Sequence, residues 1–145
     1  MKEIATFAAG CFWHVQEIFD NINGVISSRV GYTGGNDECD YDSSEKKGHA
    51  EAVEVIFDSE KVSYGDLLKV FWKEHDPTSL DKQGGDVGRR YRSAIFYHSD
   101  NQKKAIEKSL AAMQKNIVTE VSKAGKFYEA EEEHQKYNEK HGKVC

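Results

Sequence analysis

No stretch of this 145-residue chain is apolar for long enough to cross a membrane as a helix, which argues against a helical membrane span. Cysteine is scarce: three residues, Cys11, Cys39 and Cys145, with no CxxC pair and no zinc-binding spacing. Without a secretory signal, so few thiols point to a reducing, cytoplasmic location, where two of them can cycle as a local redox pair. Ala8-Ala9-Gly10-Cys11 mimics a lipoprotein cleavage site, yet only ten residues precede the cysteine and they include Lys2 and Glu3. No signal core fits in that space. Positive charge is not in excess either. With 20 Lys+Arg against 25 Asp+Glu, the net charge of −5 gives nucleic acid and anionic membrane no electrostatic handle. Proline occurs once, at Pro77, and no repeat, low-complexity tract or linker divides the chain. What remains, 31% charged and 38% hydrophobic, is one globular domain with a core of its own.

Hydrophobic periodicity predicts the elements. Ile4 to Ala9 is a strand. Val15, Ile18, Phe19 and Ile22 then fall on one face of a helix over about 13–21, stopped by Asn23-Gly24. Val25 to Tyr32 reads as a strand ending at Gly34-Gly35, and Ala52 to Phe57 as another, with Val53, Val55 and Phe57 alternating. Ser63 and Asp66 form a capping box before a helix that buries Leu67, Leu68, Phe71 and Trp72. Residues 76–90 are a Gly-rich loop without structure of its own, of the length that carries function. Tyr91 to His98 is a strand. Ser99 and Gln102 cap a helix with Ile106, Leu110, Met113 and Ile117 on one face. Val118 to Val121 is a strand, and a polar helix covers about 130–140. This order predicts an α+β domain, a two-layer, ferredoxin-like sandwich of helices on a mixed sheet. Residues 1–145 make one catalytic domain, with a mobile tail over about 141–145.

Within this layout Cys11 stands where the first strand gives way to the first helix, after Gly10 and before Phe12 and Trp13. A helix N-terminus presents unpaired N–H groups and the positive end of the dipole. Both favour a thiolate, so Cys11 is expected to titrate below an ordinary thiol and to act as a nucleophile. Phe12 and Trp13 offer an apolar, π-faced wall beside the sulfur, suited to a small soft substrate such as a thioether derivative.

Four segments stand in one order: Gly10-Cys11-Phe12-Trp13; Gly31-Tyr32-Thr33-Gly34-Gly35; Gly48-His49-Ala50-Glu51-Ala52-Val53; and Gln83-Gly84-Gly85-Asp86-Val87-Gly88, followed by Tyr91-Arg92-Ser93. Together the chain resembles the peptide methionine sulfoxide reductase A family, from about Phe7 to the C-terminus. That resemblance implies reduction of methionine sulfoxide, free or in proteins, with selectivity for the S epimer at sulfur and thioredoxin as reductant. It implies no metal and no organic cofactor.

Sulfoxide reduction needs a nucleophile, a proton donor and hydrogen-bond donors aimed at oxygen. Cys11 is the nucleophile. Glu51, at the start of an apolar strand, is the proton donor, expected to be held protonated near neutral pH by burial. Tyr41 and Tyr91 supply hydroxyl donors. Asp86 is assigned by resemblance to holding the substrate and its water. Once Cys11 has become a sulfenic acid, a second thiol must resolve it. Cys145 is the candidate and Cys39 the rival. Departures from the family pattern fall at His14, Gly85 and Arg90, and the Tyr41–Glu51 spacing is short. A redox sensor with a Cys11–Cys145 disulfide is the alternative, and a thiol peroxidase a weaker one. A sensor needs no proton donor or methyl pocket, and a peroxidase usually needs a cationic group holding the thiolate, where the Cys11 neighbourhood offers only His14.

Overall fold

A computed structural model of the chain describes residues 1–35, 43, 44, 46–113 and 116–141. Its long elements are β1 (Lys2–Ala9), α1 (Phe12–Asp20), β2 (Val25–Thr33), β3 (Ala50–Asp58) and α2 (Tyr64–Lys73). The short strands β4 (Lys82–Gln83) and β5 (Asp86–Val87) follow, then β6 (Ser93–Tyr97), α3 (Asp100–Ala111), β7 (Glu120–Lys123), β8 (Phe127–Glu129) and α4 (Tyr137–His141). Six strands form one mixed sheet in the order β7-β6-β1-β3-β2-β8; β6 and β7 run parallel and the other neighbours antiparallel. The α+β class predicted from the element order is therefore the one observed.

Strand alternation divides the residues between two faces. Phe7, Val53, Val55, Phe57, Val30 and Ile95 share a buried cluster with Val15 and Phe19 of α1 and Leu67, Leu68 and Phe71 of α2. At its centre the fully buried Phe7 ring stacks on Phe19 at 4.9 Å and on Phe71 at 5.2 Å. Burying three such rings supplies several kcal/mol, at about 25 cal/mol per Å² of apolar surface. The other face carries smaller residues, Ala8, Ala50, Ala52 and Ala94, with Phe96. Ser63 and Asp66 make the reciprocal capping box at the start of α2, and Ser99 Oγ accepts from the Gln102 amide at the start of α3. At the end of α2, His75 lies between the Phe71 carbonyl (2.6 Å) and the Ser93 hydroxyl (2.7 Å), and burial pushes its imidazole below the usual histidine range.

Several expectations are corrected. The 76–90 loop has structure: β4 and β5 pair as a ribbon, and Arg89–Tyr91 form a 3-10 turn, so Tyr91 precedes β6. Helix α3 ends at Ala111, leaving Met113 and Ile117 past its end. There the Val118 amide bonds the Pro77 carbonyl (2.9 Å), leading the chain into β7 rather than on along the helix. The helix predicted over 130–140 is instead a 3-10 turn (Glu132–His134) and the short α4. The break falls where Gln135 is extended and Lys136 has φ +57. Strand β8, unforeseen, pairs with β2 just before it. Cys39, Tyr41 and residues 142–145, hence Cys145 and the expected tail, lie outside the described residues.

Candidate active site

Gly10 closes β1 with φ +97, a conformation that L side chains rarely adopt. A Cβ at this position would stand 2.9 Å from Gln83 Cβ, so the β4–β5 ribbon lies directly against the turn that delivers Cys11. Gln83 is held there by two bonds to the Asp76 backbone, accepting from its N–H (2.9 Å) and donating to its carbonyl (2.8 Å). The Gly-rich loop is thus a brace on the thiol-bearing junction.

Cys11 is the N-cap residue of α1 and is partly exposed. The next amide, Phe12 N–H, donates to Glu51 Oε1 at 3.2 Å. Glu51 is 1% exposed because β3 alternation turns it to the same face as Val53 and Val55, opposite Tyr32 in the β2 register. Arg90, from the 3-10 turn before β6, places Nη1 3.8 Å from Glu51 Oε2. The enclosed carboxyl therefore touches the positive end of the helix that carries the thiol and also faces a guanidinium. Burial opposes its charge, while the amide and the guanidinium favour it. The sequence reading weighed burial alone; Arg90 was visible to it only as a departure from a pattern.

The aromatic wall is built by residues far apart in sequence. Trp13 stacks on Tyr137 with centroids 3.8 Å apart and planes 10° from parallel, and its indole N–H donates to His134 Nδ1 at 3.1 Å. Phe12 is fully buried, packed against Tyr32 (5.7 Å) and His134 (5.6 Å). It backs the wall from within the core, while Trp13, two residues along the chain from the thiol, is only partly buried. Side-chain amides hold the C-terminal segment in place. Gln135 accepts from the Val30 N–H (2.9 Å) and donates to the carbonyls of Val30 (2.9 Å) and Ala130 (3.0 Å), extending the β2 ladder past the end of β8. Gln16 of α1 accepts from the Lys136 N–H at 2.7 Å.

Arg92, nearly buried, ties the loop to the sheet. It donates to Glu120 (3.1 Å), to the Arg89 carbonyl (3.1 Å) and to the Gly34 carbonyl (3.3 Å). Among the described residues one group, Glu131, Glu133 and His134, brings ligand atoms within 4.8 Å of one another. Its two carboxylates are exposed. Tyr32 donates to Glu131 at 3.3 Å and Trp13 donates to His134, so two of these three side chains are also tied into the wall.

The first helix thus starts at a partly exposed thiol, with an enclosed carboxyl on the adjoining amide and an indole one residue further on. Comparison with known proteins decides the matter: residues 3–145 match the peptide methionine sulfoxide reductase family. The chain belongs to this family. It is 51% identical to the peptide methionine sulfoxide reductase MsrA of Methanothermobacter thermautotrophicus over 151 residues, 95% of this chain and 87% of that protein. It is 53% identical to the MsrA of Methanosarcina mazei over 154 residues, 97% of this chain and 71% of that one. Among solved structures, reduced Mxr1 from Saccharomyces cerevisiae superposes with a TM-score of 0.88 at 28% identity, covering 99% of this chain and 88% of that one. The methionine sulfoxide reductase A of Corynebacterium diphtheriae gives 0.86 at 30% identity, with 99% and 77% covered.

Of the residues singled out from the sequence, the structure brings Cys11, Glu51 and Trp13 to one end of the sheet. Tyr91 ends the turn that carries Arg90, and its amide bonds the Gly88 carbonyl (3.0 Å). Asp86 lies on β5, opposite Gln83 in the ribbon. Sequence reasoning missed Tyr32, His134 and Tyr137. The one available signal was two aromatic rings, three residues apart, in an otherwise polar segment.

Proposed function

We infer that the protein reduces methionine sulfoxide, free or peptide-bound, to methionine, with Cys11 as nucleophile and Glu51 as proton donor. The observation that carries this reading is the 3.2 Å bond from Phe12 N–H to Glu51, which ties the acid to the turn that bears the thiol. The Cys11 thiolate attacks the sulfoxide sulfur, and the oxygen, protonated from Glu51, passes to the cysteine. One thiol and one sulfoxide thereby become one sulfenic acid and one thioether, with atoms and electrons balanced. Trp13 faces the S-methyl group; Tyr91, and Tyr41 from outside the described residues, donate to oxygen; Asp86 orients the substrate. Cys145, or Cys39 in its place, then condenses with the sulfenic acid, releasing water and leaving a disulfide. A dithiol protein of the thioredoxin type reopens it by exchange. Selectivity for the S epimer belongs to the same reading.

The β-α-β-β-α-β connectivity and the antiparallel order β6-β1-β3-β2 support a ferredoxin-like, two-layer core. The low cysteine content supports a cytoplasmic location, and no helix among the described residues is long and apolar enough to cross a membrane. The test is turnover of the two resolved sulfoxide epimers with dithiothreitol, using wild type and Cys11→Ser. Reduction of the S epimer alone, lost in a folded Cys11→Ser variant, is expected. Substantial turnover by that variant removes Cys11 from the mechanism.

A further inference from the structure

A groove of about 500 Å³ runs along α1, between that helix, the first residues of β2 and α4. Trp13, Gln16, Glu17, Asp20 and Asn21 line it at the spacing of one helix face. Trp13 stands at one end of this stripe and Asn21 at the other, about 12 Å apart at 1.5 Å per residue. The same Trp13 is the ring proposed to face the substrate, two residues from Cys11, so on that reading the groove leads away from the site already described.

Its lining is acidic. Glu17, Asp20 and Glu139 face one cation, Lys136, whose ammonium is already bonded to Asp20 and to Ser28. Two further groups lack partners. Glu17 Oε2 is enclosed without a hydrogen bond, and Asn138, 5% exposed, has neither amide atom bonded. Enclosed polar atoms without partners are few in native proteins, because each forgoes hydrogen bonds that water would have made. Here they are a carboxylate that can accept and an amide that can both accept and donate. They lie in one acidic groove that begins at the substrate wall. That set suits a guanidinium or ammonium together with a peptide group.

We propose that this groove is a subsite for a basic side chain, arginine or lysine, in the peptide segment flanking the methionine sulfoxide. The proposal rests on the reading of Cys11 as the nucleophile of a peptide sulfoxide reductase. A peptide whose sulfoxide meets Cys11 passes Trp13 and lays one flank along α1. In extended form, about 12 Å corresponds to three or four residues at 3.3 Å each. Glu17 and Glu139 receive the cation, because Asp20 is engaged by Lys136. The Asn138 amide bonds the guanidinium or the adjoining peptide group. Peptide sulfoxides in basic segments are thereby favoured over those in acidic ones.

The experiment measures kcat/KM of the full-length protein, with dithiothreitol, on decapeptides that carry a central methionine sulfoxide. One arginine, glutamine or glutamate is moved through each flanking position. N-acetylmethionine sulfoxide amide, too short to reach the groove, reports the chemistry at Cys11 in every protein used. The expected result is an arginine-over-glutamine ratio of about 3–10 at the third or fourth position on one side, with glutamate below glutamine. The ratio should fall toward one near 0.5 M salt, as screening requires. It should also collapse in Glu17→Gln/Glu139→Gln, whose positions are partly or fully exposed, and shrink in Asn138→Leu. A flat ratio at every position, or one unaltered in the double variant while the small sulfoxide is still reduced, overturns the subsite and leaves the reductase reading intact. Failure of the wild type to reduce the small sulfoxide overturns both.

Discussion

Replacing Gln135 by alanine removes three hydrogen bonds from a buried side chain: one accepted from Val30 N–H and two donated to the carbonyls of Val30 and Ala130. The Val30 carbonyl keeps a partner, because the Ala130 amide also bonds it at 2.9 Å. The Val30 N–H does not, and a buried donor left without an acceptor costs about 1–3 kcal/mol. Adding the net loss of the two donated bonds, at about 0.5–1 kcal/mol each, gives a destabilisation of about 2–5 kcal/mol. For a domain of this size that is a fall in Tm of about 6–15 °C. The C-terminal segment that carries His134 and Tyr137 loosens with it, so KM for methionine sulfoxide should rise while alkylation of Cys11 by iodoacetamide changes little. Gln135→Glu sharpens the test. It keeps the acceptor for Val30 N–H but sets a carboxylate against two carbonyl oxygens. Its stability deficit relative to wild type should therefore narrow as pH falls from 7 to 5, since protonation restores a donor. Urea unfolding with paired kinetics decides the point. A loss below about 0.5 kcal/mol in Gln135→Ala, or an unchanged KM despite the full loss, refutes the claim that this amide holds the wall in place.

Gly10→Ala meets both the φ of +97 and Gln83 Cβ at 2.9 Å, so it should cost at least about 1–3 kcal/mol from backbone strain, read as a lowered melting temperature. A melting curve superimposable on wild type would show that the β4–β5 ribbon is free to move. Glu51→Gln keeps an oxygen to accept from Phe12 N–H but supplies no acid, so kcat should fall about 10²- to 10⁴-fold with the circular dichroism spectrum intact. An unchanged kcat would hand the proton to water or a tyrosine. Burial pushes both His75 and His98 below the ordinary histidine value of about 6.5, so the unfolded chain takes up their protons first. Stability from these groups is whole above about pH 6.5 and is lost as pH falls through that value toward the lower folded one. Melting temperature should decline from pH 7.5 to 5.5, and less steeply in His75→Gln; an undiminished slope in that variant counts against His75.

How much of this was legible in the sequence follows the range of the interactions. Local signals survived well. The capping box at Ser63 and Asp66, the α1 face of Val15 and Phe19, and the alternation of Val53, Val55 and Phe57 are all decided within a few residues. Cys11 was placed correctly for the same reason, since a strand, a glycine and an amphipathic run are neighbours in the chain. Elements decided by distant partners were lost. Helix α3 keeps its apolar spacing to Ile117, but the Pro77 carbonyl draws Val118 away from it. The C-terminal segment carries helical propensity, yet the bond from Gln135 to Val30 and the stack of Tyr137 on Trp13 prevail. At the site, the acid and its strand were readable, whereas the guanidinium that faces it depends on how a Gly-rich loop folds back. Such loops leave no periodicity to read.

The bond between the Trp13 indole and His134 spans 121 positions of the chain. At about 5–20 residues per second, a ribosome takes about 6–24 s to pass from one to the other. Through that interval the growing polypeptide holds its thiol with half of the pocket missing. Glu51 and the sheet that aims it can already be in place, but the ring that stacks on Trp13 has not been made. If Trp13 holds the substrate as proposed, a nascent or C-terminally clipped chain carries its cysteine with little grip on a sulfoxide. On that reading, substrate capture arrives last in the life of each molecule and is the first capacity forfeited when the end of the chain is trimmed.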